Sequence, residues 1–180
     1  MVGWESQEDP LNPRNFPDKR KWFILGLVAA ITFLSPLASS ILAPGVTIVN
    51  ADFHNTSQLL GSFAISVYIL GFAVGPLVLS PLSEIYGRWI VLNLSNVFFC
   101  AFTLGCALSP NLAGLIIMRF LAGFGGSACL TIGSGVIADM FVPAQRGKAV
   151  AMYSLGILFG PILGPICGKQ ATTNSITNIN

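Results

Sequence analysis

The sequence predicts an all-α membrane protein with five transmembrane helices. Two observations carry this. Hydrophobic residues make up 53% of the 180-residue chain and charged residues only 9%, against about 25% charged in soluble domains, so no water-facing surface can be built from this inventory. The apolar residues also gather into five runs of membrane length. Roughly 20 residues span a bilayer as a helix, because each backbone amide must find its partner inside the segment.

Taken in order, residues 1–21 read as a cytosolic N-terminal tail, rich in Pro and Asn and without regular structure. About twenty polar residues precede the first apolar run, which is not the pattern of a secretory signal. The first span covers about 22–49, uncharged, with Pro36 and Pro44 as expected kinks. The second covers about 59–79 and the third about 89–108. The fourth, about 112–138, carries one charge, Arg119, and the fifth, about 149–168, carries none. Residues 169–180 form a polar tail rich in Asn and Thr.

Basic residues set the orientation. With the N-terminus in the cytosol, Arg14, Lys19, Arg20, Lys21, Arg88, Arg146 and Lys148 all lie inside, and the reverse orientation misplaces all seven. Residues 50–58 then lie outside, where Asn55-Thr56-Ser57 fits a glycosylation sequon. His54 in that loop reads as solvated. Cys100, Cys106, Cys129 and Cys167 sit in apolar runs without metal-ligand spacing and read as small packing residues. The net charge of +2, without a basic patch interleaved with aromatics, points away from nucleic acid. No activated nucleophile, metal set or phosphate loop suggests an enzyme.

Small residues mark helix contacts, because helices in lipid associate by close backbone approach. Gly71 and Gly75 lie four apart in the second span, and Arg119, Gly123 and Ser127 share a face of the fourth. In the fifth, Gly156, Gly160, Gly164 and Gly168 form a stripe beside Pro161 and Pro165. That stripe requires another helix against it.

Three charge constellations carry chemistry. Ser80 to Arg88, including Leu82, Glu84 and Gly87, reads as a short charged loop between two spans. It is either a plain cytosolic turn or a latch whose Glu84 and Arg88 meet partners in one conformation only. Arg119 costs at least about 2.5–3.5 kcal/mol within a span. It is either bonded to carbonyls of a kinked neighbour near Pro36, or a gate or proton-coupling residue. Asp139 and Arg146 complete an expected inner-face network with Glu84 and Arg88; the bland alternative is a set of solvated loop charges.

The loop resembles the signature of the major facilitator superfamily, Gly-x-Leu-Ala-Asp-Arg-x-Gly-Arg-Arg. Glu84 stands for the Asp, Gly87 for the Gly and Arg88 for the first Arg of the closing pair, while Ser80 replaces the leading Gly. Pro81 to Arg88 is similar to the version in fungal drug:proton antiporters with twelve spans, polyamine exporters included. The segment from Trp4 to Trp22, the stretch Arg119 to Gly126, and Gly160 to Gly168 resemble the pre-membrane segment, the fourth-span motif and the fifth-span antiporter motif of the same family. The resemblance implies an incomplete six-helix N-terminal half of such a fold. It further implies export of small organic molecules, driven by a proton gradient without other cofactors, in the plasma membrane or alternatively the vacuolar membrane. Spans one and four would line the cavity, with Ser35, Ser39, Ser40, Arg119 and Gly123 as candidate wall or proton-coupling residues.

The family pattern breaks after Gly168. Gly168-Lys169-Gln170 can be encoded by GGT AAG CAA, which contains a splice-donor-like GTAAG, so residues 169–180 read as an aberrant tail, from an unspliced intron or from a gene prediction that missed a splice. On that expectation the stripe lacks its partner helix from the C-terminal half, and the chain alone does not transport. The alternative is a non-transporting membrane subunit that pairs with a full-length relative through the Gly156–Gly168 face.

Overall fold

The structure, a computed structural model, describes residues 13–46, 49, 50, 53 and 57–177. The expected sequon at Asn55, the loop residue His54 and the first twelve residues lie outside the described residues. Five helices follow in order: α1 (Asp18–Ser40), α2 (Gln58–Tyr86), α3 (Arg88–Ala107), α4 (Leu112–Met140) and α5 (Pro143–Thr177). Each is long and apolar enough to cross a membrane, and the described residues contain no strand.

α4 is the hub. It packs along α2 and α3 and crosses α1, while α5 lies along α1 on the far side. Its sequence explains the position: Gly123, Gly125, Gly126, Ser127, Ala128 and Gly133 are all buried, and small side chains let neighbouring backbones close in. A Cβ on Gly71 would meet the Phe120 carbonyl and the Phe124 amide, and one on Gly123 would meet the Tyr68 carbonyl. The two spacings read from the sequence therefore face each other across one interface. Asn111 starts α4 by accepting from the Gly114 amide at 2.7 Å, the ordinary service of an Asn N-cap.

Several expected boundaries move. The described part of the N-terminal tail is structured: Pro13–Asn15 forms a 3-10 turn, and α1 begins at Asp18. Pro17 precedes that helix and Asp18 opens its first turn, where an acid complements the dipole. α1 runs through Pro36 and ends at Ser40; Pro44 falls in a second 3-10 turn, Ala43–Gly45. The largest change concerns Ser80 to Tyr86, expected as a loop and found as the last two turns of α2. Pro81 removes one amide donor without ending the helix. The chain turns only at Gly87, whose φ of 92° belongs to backbone that glycine alone adopts freely. α5 in turn runs past Gly168 to Thr177, with Thr173 Oγ1 donating to the Lys169 carbonyl at 3.0 Å.

Candidate functional site

One end of the bundle gathers the charges. Arg88 Nε lies 3.0 Å from Asp139 Oδ2, joining the first turn of α3 to the last turn of α4. A Cβ at Gly135 would overlap the Arg88 guanidinium, so that glycine makes the room. Both charges oppose their own helices. A cation at a helix N-terminus and an anion at a C-terminus each lose about 0.3–1 kcal/mol to the macrodipole. Each offsets the other's misplacement, so neither serves its helix alone. Glu84, near the C-terminus of α2, is also an acid at the unfavourable end; it is exposed and has no ion pair among the described residues. Arg146, in the first turn of α5, donates from Nη2 to the Ala138 carbonyl at 2.8 Å, closing the end of α4. The expected network is thus half assembled: Arg88 and Asp139 meet, Arg146 caps, and Glu84 faces outward. Ser80 is half-buried, its carbonyl accepting from Ser83 Oγ at 2.7 Å, and Leu82 is exposed.

The tail and the next turn reach the same end. Pro13, Phe16, Ile24, Trp89 and Met140 surround the Arg88–Asp139 pair in a cavity of about 320 Å³, and Lys148 Nζ lies 5.6 Å above the Trp22 ring.

Arg119 lies far from this end. Asp139 is twenty positions further along α4, roughly 30 Å at the helical rise. Arg119 is only 6% exposed, and its Nη2 donates to the carbonyls of Ala38 at 3.3 Å and Ser39 at 3.1 Å. These belong to the last turn of α1, whose carbonyls have no amide partners within the helix. Arg119 is therefore the C-terminal cap of α1, bonded just past Pro36. Its Nε is buried without a partner, and its charge sits 5.4 Å above the Tyr68 ring.

The serines expected on a cavity wall are drawn into helix contacts. Ser35 is buried; Tyr68 donates to its carbonyl at 3.0 Å, and the Ser35 hydroxyl lies 3.3 Å from the phenol oxygen. Ser39 contributes its carbonyl to Arg119. Ser40 Oγ bonds within α1 and approaches the Gly160 carbonyl of α5 at 3.4 Å. Gly123 carries the backbone of Tyr68. The cavity beside Arg119, about 240 Å³, is lined by Ala38, Ile41, Leu42, Tyr68, Thr103 and Cys106 with residues of α4.

The glycine stripe of α5 corrects an expectation. It does not await a helix from elsewhere, because α1 already covers it. A Cβ at Gly156 would meet the Ala29 carbonyl, at Gly160 Pro36 and Leu37, at Gly164 Ser40, and at Gly168 the Ile41 carbonyl and Pro44. The stripe is an internal seam and offers no free face for pairing with a relative. Pro161 and Pro165 lie on the exposed side of α5.

A sequence model of the Major Facilitator Superfamily matches residues 28–175. The chain belongs to the Major Facilitator Superfamily. It is 48% identical to the efflux pump radE of Floropilus chiversii over 93% of this chain and 31% of the relative. It is 44% identical to the MFS-type transporter hepF of Aspergillus oryzae over 97% of this chain and 37% of the relative. The MFS-type transporter penM of Penicillium rubens is 49% identical, over 88% of this chain and 31% of the relative. The chain thus spans about a third of the length of these relatives.

Within this facilitator bundle, sequence reasoning missed a buried polar thread. Tyr153 on α5 donates to the carbonyls of Cys129 at 2.7 Å and Leu130 at 3.1 Å. Thr32 on α1 bonds Val28 at 2.7 Å and reaches the Cys129 carbonyl at 3.4 Å. Cys129 Sγ lies 2.9 Å from Asn96 Oδ1 on α3, so this cysteine does more than fill space. A tyrosine inside an apolar run looks like ordinary core. The available signal was Gly133, where a Cβ would overlap the Tyr153 ring.

Proposed function

We propose that this chain builds most of one helical half of a proton-coupled secondary transporter that exports small organic molecules. Its N-terminus lies in the cytosol, in the plasma membrane or alternatively the vacuolar membrane. One observation carries the reading: Arg88, Asp139 and Glu84 all sit at the wrong ends of their helices, and only two of them satisfy each other. Misplaced charge has little value for stability. It has value as a contact made in one conformation and broken in another, which is what alternating access between two halves requires. The exposed Glu84 meets its partner on helices beyond these five. The clustering of Lys21, Arg88, Arg146 and Lys148 at one end supports the orientation, and the naming of radE as an efflux pump supports export.

An arginine keeps its proton at physiological pH. Arg119 therefore acts through its fixed charge. The test is flux in sealed vesicles under an imposed pH gradient, with this chain reconstituted alone and together with the remaining helices of a relative. Gradient-dependent flux from the pair, reduced at least tenfold by Glu84→Gln, supports the proposal; flux unaffected by that change refutes the latch.

A further inference from the structure

We infer that the cavity beside Arg119 is a binding site for a compact organic anion, a carboxylate or similar group on an apolar body. The first ground is a charge imbalance. The described acidic residues are Asp18, Glu84 and Asp139, each at the other end of the bundle, and no Asp or Glu occurs from residue 85 to 138 or from 19 to 51. The C-terminal dipole of α1 offers the guanidinium about half a negative charge. Asp52 lies outside the described residues; among those described nothing matches the other half, in a place where an uncompensated charge is costly.

The second ground is the unused hydrogen-bonding capacity. Both bonds to α1 run through Nη2, and buried Nε has no acceptor. A guanidinium offers five donors in a planar fork suited to a carboxylate. The third ground is the shape of the space. About 240 Å³ adjoins this fork, walled by Ile41, Leu42, Tyr68, Ala107, Leu115 and Ala122, with Thr103 and Cys106 as minor polar atoms. That is slightly below the ~300–1,000 Å³ of drug-sized sites, so the occupant is small. An apolar wall around a single unmatched cation selects an amphipathic anion over a cation or a sugar.

This assignment deepens the transport reading by naming a ligand class, and its test measures occupancy rather than flux, so the two can fail separately. Cys106 lines the cavity, while Cys100 on the same helix and Cys167 are exposed outside it. The chain in nanodiscs of zwitterionic lipid is treated with N-ethylmaleimide, and alkylation is followed cysteine by cysteine by mass spectrometry. The probes share one ring system: 2-naphthoate, 2-naphthalenemethanol and 2-naphthylmethylamine. The naphthoate is expected to slow Cys106 alkylation about tenfold, the factor that 1.4 kcal/mol of binding supplies, and to leave Cys100 and Cys167 unchanged. Arg119→Gln abolishes the protection, while Ala107→Phe, which fills the cavity without touching the bonds of Arg119 to α1, abolishes it independently. Oleate run in parallel separates the two sources of a carboxylate; protection by oleate alone overturns the compact-anion assignment in favour of a lipid. Equal protection by the alcohol or the amine, or full protection surviving both variants, overturns the proposal.

Discussion

Arg119 shows how a single residue can be both structural and functional. Its Nη2 satisfies two carbonyls that α1 cannot satisfy itself, so Arg119→Leu leaves them without donors at a cost of about 1–3 kcal/mol. Thermal unfolding in detergent should show a lower midpoint for that variant and a smaller drop for Arg119→Lys, which keeps a donor and the charge. Asp139→Asn should behave differently. The pair it breaks is half-exposed and worth at most about 1 kcal/mol, so the midpoint should barely move while the thiol reactivity of a cysteine placed at Glu84 changes. Arg119, Arg88 and Asp139 were legible in the sequence because lipid makes charges scarce, so each survivor is conspicuous. Tyr68 and Tyr153 were not legible. A phenol bonded to a carbonyl leaves no trace in spacing or composition; only the glycines opposite, Gly126 and Gly133, hinted that a ring needed room.

At the scale of the helix, existence was easier to read than extent. Five apolar runs gave five helices, because bilayer thickness fixes their number and approximate length. The end of α2 was misread, since Ser80 to Tyr86 combines proline with polar residues, the usual marks of a loop. Polar composition shows only that a segment meets water, and a helix can continue into water. Gly87 is the actual break, and Gly87→Ala should cost roughly 1–3 kcal/mol for its positive φ alone. The α5 stripe allows a paired test. Gly160→Leu drives a side chain into Pro36 and the α1 backbone and should destabilise by about 1–3 kcal/mol. Gly147→Ala on the same helix meets open space and should stabilise by about 0.5–1 kcal/mol. Matching losses at both sites in thermal unfolding would show that α5 is not seated on α1.

The whole molecule is a bundle whose two ends differ in kind. One end, bearing Arg88, Asp139, Arg146 and Glu84, is built of exposed or half-exposed charges at helix ends. The other holds a single buried cation beside an apolar cavity. A membrane-impermeant thiol reagent should label a cysteine at Glu84 from the cytosolic side only, as the positive-inside distribution requires. The glycine seam was recognised in the sequence but given the wrong partner, because a stripe of small residues announces a contact without naming the helix that makes it.

The central claim is that these five helices form one side of an alternating-access carrier whose outward-facing Glu84 completes a latch on another side. Vesicle flux of a panel of anionic, neutral and cationic dyes under an imposed pH gradient tests it most directly. The account predicts no gradient-driven flux from the chain alone, and flux of at least one anionic dye once the remaining helices of a relative are assembled with it. Gradient-driven flux from the five helices by themselves would contradict it.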